Sequence, residues 1–119
     1  MKKKILVVEN DADISLIISH ILTEEGYETI LCHNQQTVFE IIQFHKPDVV
    51  LLDVIKPTEE GTVICRTLKA SESTKHIPVI VLSTHSRIED VKKGCADEIV
   101  KKPFDIDTLV DVVREQLAA

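Results

Sequence analysis

An α/β fold, a doubly wound five-stranded parallel sheet with helices on both faces, is the architecture this sequence predicts. Short, almost wholly apolar runs alternate with segments whose apolar residues recur at helical spacing. The runs lack the in–out alternation of a one-sided sheet, so helices must cover both of their faces. Crossovers between parallel strands are right-handed, and an open sheet of this kind binds its ligands beyond the carboxyl ends of the strands.

Residues 5–8 (Ile5, Leu6, Val7, Val8) form the first predicted strand. Asp11 or Asp13 can cap the helix that follows, which carries Ile14, Ile17, Ile18, Ile21 and Leu22 and stops at Gly26. Residues 28–32 are a shorter strand. Asn34 caps a second helix with Val38, Ile41, Ile42 and Phe44 inward, and Pro47 ends that segment. Residues 48–52 make the third strand, and residues 59–70 a helix using Val63, Ile64 and Leu68. Pro78 precedes a fourth strand at 79–82. A short fourth helix is expected near 87–93, a weak fifth strand at 98–100, and a fifth helix from about Asp105 using Ile106, Leu109, Val110, Val113 and Leu117. With no repeat or linker in the pattern, one domain over residues 1–119 is expected.

Composition narrows the function. At 44% hydrophobic and 29% charged residues, the chain can bury a core. Its net charge of −6 argues against direct nucleic-acid binding, because an acidic surface gains nothing from counterion release. No apolar run approaches the roughly 20 residues of a membrane span. The basic start Met1-Lys2-Lys3-Lys4 leads into an apolar run too short for a secretory signal. Cys32, Cys65 and Cys95 are far apart and form no C-x-x-C pair, so reduced thiols in a cytoplasmic protein are expected. The five histidines show no metal-ligand spacing.

Chemistry gathers at the strand ends. Asp53 closes the third strand, Glu9-Asn10-Asp11 follows the first, Ser83-Thr84 the fourth, and Lys102-Pro103 comes after the fifth. Acids, a hydroxyl and a lysine at one sheet edge suit a divalent cation and a phosphoryl group. Asp11 reads as a helix cap rather than a metal ligand. Lys101 competes with Lys102, and the Pro103-Phe104 that follows favours Lys102.

The order Val7-Val8-Glu9-Asn10-Asp11, Leu51-Leu52-Asp53, Pro57, Gly61, Ser83, Lys102-Pro103-Phe104 resembles the response-regulator receiver domain of two-component signalling, over the whole chain. The resemblance implies a flavodoxin-like sheet of order 2-1-3-4-5. It makes Asp53 the phosphoacceptor, served by a sensor histidine kinase or a phosphotransfer protein. Mg²⁺ would be held by Glu9, Asn10, Asp53 and the backbone carbonyl of Ile55. Lys102 would pair with a phosphoryl oxygen, ahead of a peptide bond to Pro103 that is usually cis in the family. Ser83 would be the switch hydroxyl. The face from the fourth to the fifth helix is where it implies contacts with a downstream protein, homodimerisation included. A cytoplasmic signalling module results, not an enzyme beyond self-phosphorylation from small donors and self-dephosphorylation.

Four residues or segments depart from the family pattern. Asn10 stands where a second acid is common, which should weaken Mg²⁺ binding. Ile99 stands where an aromatic residue usually reports the switch. Thr84 replaces a usual Ala and could restrict access to the acyl phosphate. The stretch from Ser83 to Lys102 is about three residues short, close to one helical turn, so the fourth helix should be stunted or displaced. Apolar Ile55, two residues after Asp53, is expected to slow loss of the phosphoryl group by shielding it from water.

Two rivals compete with this reading. Haloacid-dehalogenase-like phosphatases also carry an Asp nucleophile after an apolar strand, but need a second Asp where this chain has Ile55. A pseudo-receiver, a binding module independent of phosphorylation, would fit Asn10, Ile99 and the short fourth-helix region, whereas Asp53, Ser83 and Lys102 argue against it.

Overall fold

The computed structural model describes residues 2–54, 62–91 and 95–118. In chain order the elements are β1 (Lys4–Val8), α1 (Ala12–Glu24), β2 (Glu28–Cys32), α2 (Val38–His45), β3 (Val49–Asp53), α3 (Val63–Ala70), β4 (Val79–Ser83), β5 (Glu98–Lys101) and α4 (Ile106–Ala118). A 3₁₀ turn, Gln35–Thr37, leads into α2, and another, Ile88–Val91, lies between β4 and β5. The sheet is parallel throughout with order β2-β1-β3-β4-β5, as the family resemblance implies.

Strand parity divides the core in two. Ile5, Val7, Val49, Leu51, Ile80, Leu82 and Val100 pack with Ile18 and Leu22 of α1 and Leu109 and Val113 of α4. Leu6, Val8, Val50, Leu52, Val79 and Val81 pack on the other face with Val38 and Ile42 of α2 and Ile64, Cys65 and Leu68 of α3. Both faces are dry, which is why the strands carry apolar residues without alternation.

Local signals set the helix ends. The Asp11 carboxylate accepts the backbone N–H groups of Asp13 (2.9 Å) and Ile14 (3.2 Å), so it is the cap of α1. Gly26 takes φ +92°, the left-handed conformation that suits a residue without Cβ. Asn34 caps the 3₁₀ turn rather than α2 itself, its side chain accepting from the Gln36 N–H.

Several expected inward residues point outward: Ile17, Phe44, Val63 and Ile106 are all exposed, Phe44 by 82%. Ile17 and Val63 lie one position from the buried Ile18 and Ile64, Phe44 lies two positions from Ile42, and Ile106 is the first residue of α4. An apolar residue at the edge of a helical stripe is not distinguishable by type from one at its centre. For the helix expected over 59–70, residues 59–61 fall outside the described residues.

Of the helix expected near 87–93, the described residues form the turn Ile88–Val91, and residues 92–93 fall outside the described residues. Ile88 is fully buried and, with Cys95 and Ala96, covers that end of the sheet. The cysteines differ from expectation. Cys65 and Cys95 are joined in a disulfide with Cα atoms 5.2 Å apart, and Cys32 is the free, buried thiol. The partners lie 30 residues apart, and the packing of α3 on the segment before β5, rather than any short motif, brings them together.

If the turn is a packed part of the core, Ile88→Ala should lower unfolding free energy by about 2–5 kcal/mol. Phe44→Ala, at an exposed site, should change it by no more than about 0.5 kcal/mol. Urea denaturation of the two variants measures both.

Candidate functional site

The carboxyl ends of the strands bring three charged side chains into one contact set. Glu9 follows β1, with its backbone N–H bonded to the Cys32 carbonyl at 3.0 Å. Asp53 is the last residue of β3. Lys102 follows β5, and its N–H is held by the Ser83 carbonyl at 2.8 Å. The Lys102 Nζ donates to Glu9 Oε2 at 2.8 Å and to Asp53 Oδ1 at 2.9 Å.

Parity explains why these three meet. Val7 and Leu51 pair in register and face α1 and α4, so Glu9 and Asp53, each two residues on, lean to that same side. Val100 faces that side too, and Lys102 continues its parity. Lys101 takes the opposite parity and pairs at the surface with Glu89 Oε1 at 2.8 Å. Lys102 is therefore the inward lysine, as the Pro-Phe register indicated. The Lys102–Pro103 peptide bond is cis.

Burial makes the charges matter. Glu9 is 3% exposed, and the side chains of Lys102 and Asp53 are 13% and 16% exposed. Burial by itself would depress the lysine pKa. Hydrogen bonds and attraction from Glu9 and Asp53 outweigh it and hold Lys102 above its ordinary value. Two carboxylates around one ammonium leave the cluster with a net negative charge, and Asp53 keeps enough exposure for a solute to reach it.

The remaining candidates are arranged differently. Ser83 ends β4, and its buried hydroxyl accepts the His85 backbone N–H at 3.1 Å. Its parity, shared with Val81, sets it toward α2 and α3, across the sheet edge from the acid–lysine cluster. Asn10 is exposed. Ile55 lies outside the described residues. Ile99 is partly buried against the α2 and α3 side of the core.

His33, just past β2, was not anticipated. Its Nδ1–H donates to the Glu9 backbone carbonyl at 2.9 Å, the protonated tautomer following because a carbonyl can only accept. Nothing in the sequence singles it out, since the contact follows from the pairing of Val8 with Cys32.

Among the described residues no group of three or more His, Cys, Asp or Glu side chains is placed to hold a metal ion. Glu9 and Asp53, with the Asn10 amide next in the chain, nevertheless fit a small hard cation. Mg²⁺ commonly uses one or two carboxylates and fills its remaining positions with water and substrate oxygens.

Comparison with known proteins bears on these features. Residues 5–114 match the family model described as "Response regulator receiver domain". Sporulation initiation phosphotransferase F of Bacillus subtilis (strain 168) is 31% identical over 120 residues, covering 98% of this chain and 95% of that protein. The DNA-binding response regulator MtrA of Mycobacterium tuberculosis (strain ATCC 25618 / H37Rv) is 32% identical over 120 residues, covering 98% of this chain. The chain spans about half the length of the MtrA relatives, 51% for that one. Among solved structures, the signal receiver domain of a signal transduction histidine kinase from Syntrophus aciditrophicus superposes with a TM-score of 0.86 at 31% identity, covering 98% of this chain and 90% of that one. The fold is also shared with a response regulator (signal receiver domain) from Bermanella marisrubri, TM-score 0.88 at 24% identity, covering 98% of this chain and 99% of that one.

Replacing Lys102 by Met removes two charge-assisted hydrogen bonds and should lower stability by about 1.5–3 kcal/mol near neutral pH. Because the folded pKa is raised, the lysine's contribution is complete below its unfolded value of about 10.4 and is lost as pH rises through the higher folded value. On the alkaline side, the difference between wild type and Lys102→Met in urea midpoint should therefore persist until strongly alkaline solution.

Proposed function

The chain belongs to the response regulator receiver family of two-component signalling, and from that membership we propose that Asp53 is its phosphoacceptor. The observation that carries the reading is Lys102 Nζ bonded at once to Asp53 and Glu9. An Asp53 carboxylate oxygen attacks the phosphorus of a phosphohistidine on a sensor histidine kinase or phosphotransfer protein. The O–P bond of an acyl phosphate forms, the P–N bond breaks, and the imidazole leaves with the electron pair. Lys102, already against Asp53, pairs with a phosphoryl oxygen as charge moves outward. Glu9, Asn10, Asp53 and the Ile55 carbonyl are the proposed Mg²⁺ ligands. The ion when bound neutralises charge shared by the acids and the phosphoryl oxygens.

Ser83 is proposed as the switch hydroxyl. Its present bond to the His85 N–H supports a role that requires exchange of one partner for another. The output surface is proposed to comprise the turn Ile88–Val91, β5 and α4, meeting a downstream protein or a second copy of the chain. We place this chain in the cytoplasm and read residues 1–119 as one receiver unit that has neither nucleic acid nor membrane as a direct partner. The net charge of −6 supports the first exclusion. Among the described residues no helix is long and apolar enough to cross a membrane, which supports the second.

Incubation with acetyl phosphate and Mg²⁺ should add one phosphoryl group, seen by intact-mass measurement, and Asp53→Asn should abolish the gain. No gain at saturating donor and metal would instead favour a phosphorylation-independent binding module. Asn10→Asp adds a carboxylate to the proposed site, and Mg²⁺ titration should show tighter binding than in the wild type.

A further inference from the structure

Two clamps join α3 to the segment before β5. Cys65 and Lys69 lie one helical turn apart on α3. Cys95 and Asp97 lie two residues apart on the other side. Cys65 is bonded to Cys95, and Lys69 Nζ pairs with Asp97 Oδ2 at 2.6 Å. The ionic clamp is itself fixed at both ends. Asp97 Oδ2 accepts the Val79 N–H at 2.8 Å, and Lys69 Nζ also donates to the Ile77 carbonyl at 2.8 Å. This seam lies on the face that the turn Ile88–Val91 helps to cover.

The surroundings accommodate both states of the covalent clamp. The Thr62 carbonyl oxygen lies 3.4 Å from Cys65 Sγ, so a reduced thiol there has an acceptor ready. Ile88, Ala96 and the Lys69–Asp97 pair would hold the segment without the disulfide. Cys32 is engaged elsewhere, its thiol donating to the Asn34 carbonyl at 3.0 Å. Disulfides in reducing compartments are usually transient and redox-sensing.

We propose that Cys65 and Cys95 are a redox-active pair, a reversible latch that fastens α3 to residues 95–97 when oxidised and leaves the ionic clamp alone when reduced. The inference draws on the cytoplasmic placement argued above but not on phosphorylation of Asp53. Cys95, 5% exposed against 0% for Cys65, is the first to react. Its thiolate attacks one sulfur of a small-molecule disulfide of the glutathione class, forming a mixed disulfide and releasing one thiol. The Cys65 thiolate then attacks the Cys95 sulfur and releases the second thiol. Two protein thiols thus lose two electrons and two protons, and the external disulfide is reduced to two thiols.

The test uses the full chain equilibrated over a series of reduced-to-oxidised glutathione ratios. The protein is then acid-quenched, denatured, alkylated, and read by intact mass and peptide mapping. The expected result is a graded conversion from three alkylated cysteines to one, the survivor being Cys32, and Cys32→Ala should show the same titration. Amide hydrogen exchange on the two end states should be several-fold slower at residues 95–97 in the oxidised form. Four outcomes would overturn the proposal: three free thiols at every ratio, a bond that persists in fully reduced glutathione, pairing that involves Cys32, or unchanged exchange at residues 95–97. None of these readouts depends on whether Asp53 accepts a phosphoryl group.

Discussion

One ammonium group organises this protein's site. Lys102 reaches across the sheet edge from β5 to meet carboxylates that follow β1 and end β3, and no two of these three residues are near in sequence. Their meeting requires the strand order, the register and the parity of every strand between them. A slip of one residue in β5 would send Lys101 to the acids and Lys102 to the surface. The Pro103 that follows and the Ser83 carbonyl that holds the Lys102 backbone bring the chain to the site in this register. The double burial of the sheet therefore serves chemistry as well as stability, because the fully packed core fixes the positions of its polar edge.

Most of the fold was legible because the strands are extreme in composition. Four apolar residues in a row at 5–8 and again at 79–82 leave little alternative to a strand covered on both faces, and the segments between them are long enough for helices. The candidate site's acid–lysine contact was legible for a related reason: a carboxylate that ends an apolar run has been placed at a sheet edge by the run itself. Other features stayed hidden because they depend on tertiary contact. Phe44 and Val63 sit at the margins of helical stripes, where residue type does not say which way the side chain turns. His33 acts through a backbone carbonyl on the neighbouring strand. Cys65 and Cys95 carry no motif, and their bond follows from where α3 lands on the sheet.

The face toward α2 and α3 differs from the face toward α1 and α4. On the latter, two 13-residue helices cover the sheet and the acid–lysine cluster stands at its rim. On the former, the described cover near β4 and β5 is the turn Ile88–Val91 with Cys95 and Ala96, fastened to α3 by a covalent and an ionic link. Ser83 lies on this side by parity, with Lys101 and Glu89 at its surface. A signal that begins at the proposed phosphoacceptor Asp53 would have to cross from one face to the other, and the proposed switch hydroxyl of Ser83 lies on the far face.

The account depends on the charge interaction between Lys102 and the two acids, and a double-mutant cycle measures it most directly. Unfolding free energies of wild type, Lys102→Met, Asp53→Asn and the double variant would give the coupling between the lysine and the proposed phosphoacceptor. A coupling of about 0.5–3 kcal/mol is predicted for side chains in contact at this depth. Effects that add to within about 0.3–0.5 kcal/mol would mean that the two groups do not interact, and would contradict the proposed site.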